Sequence, residues 1–175
     1  MRARLHANAD QVLAGLAAGT VLGALVLGVG GRLAMTAIQV SQGLPSAWSW
    51  AGTWQVVIPG LTLGPAAGLA YAVLRPSLPG SAAARGMLFG VVHGAFWVAV
   101  YFLRPAGPVE LSAAPRLGGA LFAGLLLGFG VALGEMEERW RSRFAARRVA
   151  PAAIAAIGVL AALGFGFTFW VLITR

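Results

Sequence analysis

Cysteine and lysine are both missing from this 175-residue chain, and acids are nearly so. Without cysteine there is no disulfide, thiolate metal site or thiol nucleophile. Without lysine a retinal Schiff base, or any other lysine imine, is excluded. The acids are Asp10, Glu110, Glu135, Glu137 and Glu138, all outside the long apolar runs. The carboxylate relay usual in proton pumps and coupled transporters therefore has no evident carrier. HExxH, a GxSxG elbow, a P-loop and a histidine–carboxylate metal cluster are absent as well. No catalytic residue and no metal ligand set can be named, and a non-enzyme is expected.

What remains is apolar. Hydrophobic residues make up 59% of the chain, charged residues 10%, and the mean hydropathy is +0.81. A soluble domain carries roughly 25% charged residues. A hydrocarbon core about 30 Å thick takes about 20 helical residues to cross. Five stretches qualify, at about 11–31, 53–74, 86–103, 117–134 and 152–174, and none contains Asp, Glu or Lys. Pro45, the Pro76–Gly80 run and Pro105, Pro108 and Pro115 punctuate the connections, and Pro151 opens the fifth stretch where proline is tolerated. The first span follows Arg2 and Arg4 but is too long for a signal-peptide core, so it reads as an uncleaved anchor. The fold class implied is all-α, a single transmembrane domain over 1–175 in the form of a five-helix bundle.

Arginine placement gives the orientation. An inside amino terminus puts nine arginines in the cytoplasm and leaves Arg32, Arg104, Arg116 and Arg175 outside. Trp48, Trp50 and Trp54 then stand at the outer start of the second span, and Trp170 near the outer end of the fifth. The carboxyl terminus is outside. The chain then crosses its membrane several times. The net charge of +8 is read as topology and contact with anionic lipid rather than with nucleic acid.

Glycine recurs every fourth residue as Gly15/Gly19/Gly23, Gly60/Gly64/Gly68 and Gly86/Gly90/Gly94. That spacing places each trio on one helix face, a smooth groove where a neighbouring backbone can approach. Glycine-zipper packing among the first three helices is predicted, within the chain or between chains.

Three further features carry candidate chemistry. His93 shares a helix face with Gly86, Gly90, Trp97, Tyr101 and Arg104. A neutral imidazole there is a candidate axial ligand for haem or chlorophyll, with Gly90 making room and Trp97 and Tyr101 bounding the ring. The bland alternative is a histidine that hydrogen-bonds a neighbouring helix. Pro59 and Pro65, with Gly60, Gly64 and Thr62, predict a kink or local unwinding of the second span. Such a break either lines a pathway or merely shapes the bundle. The segment 135–148 predicts an amphipathic cytoplasmic extension of the fourth helix, with i,i+4 pairs Glu135–Arg139 and Glu137–Arg141 and an apolar stripe Met136, Trp140, Phe144. Arg32, Arg139, Arg141, Arg143, Arg147 and Arg148 are candidate contacts for lipid headgroups.

The order Gly30-Gly31-Arg32-Leu33-Ala34-Met35, a Trp-rich loop, a Gly-rich span, Leu74-Arg75-Pro76-Ser77-Leu78-Pro79 and Arg85-Gly-Met-Leu-Phe-Gly90 resembles small multi-helix integral membrane proteins of GC-rich bacteria. The resemblance runs to about Arg143 and implies a multi-pass bundle in a bacterial cytoplasmic (inner) membrane, without a known activity. Three functional classes stay open. The first is an accessory or structural subunit packing into a larger membrane complex, with lipids and other membrane subunits, or a second copy, as partners. The second is a small channel or transporter near Pro59–Pro65 and His93. The third is a haem- or chlorophyll-carrying subunit.

Overall fold

The structure is a computed structural model that describes residues 2–45, 48–102 and 115–147, with side chains at 10–45, 48–97, 99 and 116–144. The described residues are helical and include no strand. α1 (Arg2–Leu22) runs without interruption into an eight-residue π-helical stretch, Gly23–Gly30, and then into α2 (Gly31–Ser41). α3 covers Trp50–Leu74, α4 Ala82–Phe102 and α5 Pro115–Arg147. Three helical stretches are long and apolar enough to cross a membrane, Asp10–Ser41, Trp50–Ser77 and Arg116–Phe144. Large apolar side chains also cover the outside, Trp50 at 75% exposure and Val73, Val91, Val92 and Phe96 among them. This surface and these lengths support a membrane protein. The fifth stretch, 152–174, and the loop arginine Arg104 lie outside the described residues.

Two antiparallel hairpins build the bundle. In the first, α1 and its π-helical continuation face α3, with Gly15 against Gly68, Gly19 against Gly64 and Gly23 against Gly60. A Cβ on any of these six glycines would stand under 3.0 Å from a facing backbone atom. The backbones touch directly, as helices in lipid do when small residues allow it. In the second hairpin, Gly86 and Gly90 of α4 meet α5 at Gly130, and Gly134 of α5 meets Ala82. Gly94 makes only ordinary contact with Leu126. The spacing pointed to the faces of helices one to three, while the α4 partner lies on α5, at Gly130 and Gly134. α1 also packs on α5, so the order across the bundle is α3, α1, α5, α4.

The connection between α3 and α4 is short. Arg75–Ser77 closes as a 3₁₀ turn, Gly80 takes φ +96°, and the Ser81 hydroxyl accepts from the Ala84 amide to start α4. A positive φ is cheap for glycine and strained for other residues. At this end the four helices converge on one core of Ala18, Leu22, Ala67, Tyr71, Phe89, Phe129 and Leu133. The Gln11 side-chain amide donates to the Ala72 carbonyl and ties α1 to α3 nearby.

Two local expectations are revised. α3 stays α-helical through Pro59 and Pro65, so the local unwinding is not found there, and the Thr62 hydroxyl donates to the Pro59 carbonyl at 3.0 Å. The departure from α geometry falls opposite, in the π-helical Gly23–Gly30, where Gly60 fits against the backbone of Gly23 and Gly28. Wider π turns occur mostly as local bulges in helices and are one way to shift a helix face without breaking it. Arg32 is the second revision. It sits inside the continued first helix, only 8% exposed, with its guanidinium 5.4 Å from the Trp48 ring centroid and beside Gly52. A helix that continues to Ser41 leaves Arg32 no free end, and Gly52 has no side chain to exclude it.

Candidate functional site

The chemistry gathers where α3 ends and α5 leaves the apolar core. α3 brings Tyr71, the 3₁₀ turn that follows it brings Arg75, and α5 brings Glu137, Glu138 and Arg141. Glu137 is fully buried, and its carboxylate lies 3.1 Å from Arg75 Nε. Arg75 also donates to Glu138, and Glu138 accepts from Arg141. The result is a chain of alternating charge, Glu137–Arg75–Glu138–Arg141, running from the core outward. The Tyr71 hydroxyl is fully buried beside it and makes no hydrogen bond among the described residues.

This arrangement corrects the reading of the charged segment. Glu135–Arg139 pairs as the spacing predicts, at 3.4 Å. Glu137 does not pair with Arg141; it turns inward to Arg75, and Arg141 takes Glu138 instead. The reason is geometric. Phe129, Leu133 and Glu137 follow each other at four-residue steps, so the buried stripe of α5 carries straight into the acid. A buried carboxylate needs its counter-charge, and Arg75 at the end of α3 is within reach. The bundle therefore holds an inward-facing acid, which the position of the apolar runs did not reveal.

An aromatic column leads away from this cluster. Tyr71 meets Phe89 edge-on at 5.4 Å, Phe89 stacks on His93 at 5.3 Å, and His93 meets Trp97 edge-on at 6.1 Å. Phe129 of α5 lies 6.4 Å from His93. Trp97 Nε1 donates to His93 Nε2 at 3.0 Å. That bond engages one of the two ring nitrogens through which a haem or chlorophyll metal could be ligated, and it is made within α4 rather than to a neighbouring helix. Gly90, the proposed space for a flat ring, is closed by the α5 backbone at Leu126 and Gly130. The Tyr101 side chain lies outside the described residues. Among the described residues no group of three or more His, Asp or Glu is placed to hold a metal ion. Trp97→Phe should lower stability by about 1 kcal/mol through the lost hydrogen bond, read by thermal unfolding in detergent, without changing visible absorbance.

The candidate headgroup contacts divide. Arg32 is buried and Arg141 is committed to Glu138, whereas Arg139 and Arg143 are exposed. The side chain of Arg147 and all of Arg148 lie outside the described residues. No family model matches the chain, and no curated protein or solved structure matches it.

Proposed function

We propose that the chain is a non-catalytic, multi-pass protein of a bacterial cytoplasmic membrane, acting as an accessory or structural subunit of a larger membrane assembly. In this reading it has five spans, the amino terminus inside and the carboxyl terminus outside, and its first four helices pack as two glycine zippers. The observation that carries the reading is the way the interior closes on itself. Glycine backbones seal both hairpins, Tyr71, Phe89, Phe129 and Leu133 fill the junction, and the buried acid is neutralised by Arg75. The Pro59–Pro65 stretch packs on Gly23 and Gly28 instead of opening a path, and His93 is engaged by Trp97. A rigid, filled bundle with an apolar exterior offers surface more than chemistry. Since the glycine faces serve the chain's own hairpins, partner subunits meet the outward apolar sides. Purification in mild detergent with native mass and an absorbance scan tests this. Stoichiometric partner proteins are the expected result; a colourless particle of this chain alone contradicts it.

One observation favours a second reading, a small transporter. Buried ionisable residues in membrane helices commonly mark ion or proton pathways, and the Glu137–Arg75 pair is such a site. It predicts flux through vesicles reconstituted with this chain alone and loss of that flux in Glu137→Gln.

A further inference from the structure

We infer that the outward side of α5 is a binding site for one anionic phospholipid, an inference that rests on the membrane reading above. Ala132, Glu135, Met136, Arg139, Trp140 and Arg143 line a cleft of about 290 Å³ there. Its floor is apolar and held from behind, because Ala132, Met136 and Trp140 pack against the central core. Its rim is basic. Arg139 makes only an exposed 3.4 Å contact with Glu135, a kind of pair that contributes little and yields easily to a phosphate. Arg143, one turn on, has no ion-pair partner among the described residues, so the cleft carries one net positive charge. Arg141, on the other side of the helix, is spent on Glu138 and takes no part.

Ala132 is the lining residue nearest the apolar part of α5, and from it Gly128, Gly124 and Ala120 continue at one-turn steps on one exposed face. A Cβ on Gly124 or Gly128 would meet nothing within 4 Å among the described residues, in contrast to Gly130 and Gly134 on the packed side. From Ala132 to Gly124 the trough is about 12 Å long and to Ala120 about 18 Å. One leaflet of hydrocarbon is about 15 Å deep. The trough thus matches an acyl chain in length and polarity, and the arginine rim stands at the end where its headgroup would lie. The tryptophan between them is the side chain that prefers this boundary.

The test uses the full chain, stripped of lipid in detergent and titrated with phosphatidylglycerol or with phosphatidylcholine of the same acyl chains, read by native mass spectrometry. The expected result is one retained phosphatidylglycerol, with phosphatidylcholine held much more weakly. Arg139→Gln/Arg143→Gln should weaken retention about thirtyfold, given the effect of two basic residues near an anionic surface. Gly124→Leu/Gly128→Leu, which fills the trough without touching charge, should also release the lipid while leaving thermal unfolding unchanged. Equal retention of both lipids overturns the inference. So does loss in the arginine variant alone, which would mean a diffuse basic surface. Disulfide formation between Gly128→Cys and cysteines scanned across 152–174 overturns it too, because the chain's own segment would then cover the trough. A chain that stays dispersed in buffer without detergent would instead refute the membrane reading beneath it.

Discussion

Arg75→Leu is expected to lower the stability of the bundle by about 3–5 kcal/mol, the range for stranding one member of a buried ion pair. Glu137 is fully buried and Arg75 is its counter-charge, so removing the guanidinium leaves a carboxylate with no way out to water. Arg75→Leu/Glu137→Leu should recover most of the loss, because replacing both partners of a buried pair by apolar groups is often close to neutral. Glu138 keeps Arg141 in that double variant. Glu138→Gln alone should cost under about 1 kcal/mol, since that carboxylate is 40% exposed and its pairs are partly solvated. Unfolding in detergent, followed by helical signal against denaturant, measures all of these. Strictly additive losses in the double variant would show that the two side chains do not interact.

Gly19→Ala should be nearly as damaging, and for a different reason. Its methyl would stand under 3.0 Å from the Gly64 carbonyl oxygen, and backbone cannot yield as a side-chain tip can. Overpacking costs typically about 1–3 kcal/mol, and the upper end or beyond is expected where both walls are main chain. Gly64→Ala should behave alike. Gly128→Ala is the internal control, a glycine on the same kind of apolar helix with no described residue within 4 Å of an added Cβ. There the substitution should be neutral or stabilising by about 0.5–1 kcal/mol, since alanine orders a helix at lower entropic cost. Equal tolerance at Gly19 and Gly128 would contradict the backbone contact between α1 and α3.

These contrasts mark what the sequence made legible and what it did not. Glycine at four-residue intervals announces a face open to close approach, and α1, α3 and α4 all use such faces. Partnership is not written in the spacing. α5 carries Gly124 and Gly128 on one strip and Gly130 and Gly134 on another, and only packing shows which of the two the described helices occupy. The long apolar helices were equally plain. The acid cluster was not, because Glu135, Glu137 and Glu138 point in different directions around the helix and a charged run reads as solvated. Continuing the Phe129–Leu133 stripe by four residues leads to Glu137, a signal available in the sequence, but its partner Arg75 is 62 positions away and needs the fold. His93 illustrates the opposite case. Its neighbours on the helix face were legible, and the fold adds that one of them, Trp97, donates to its Nε2.

The most direct test of the bundle is a disulfide placed across a glycine contact, which the cysteine-free chain makes clean. In Gly94→Cys/Leu126→Cys the two Cβ atoms would lie 3.6 Å apart across α4 and α5, within the range a disulfide bridges. Oxidation in native membranes should give a cross-linked product at the mass of a single chain. A covalent dimer, or no product under conditions that oxidise exposed control cysteines, would contradict hairpins that close their glycine faces within one chain.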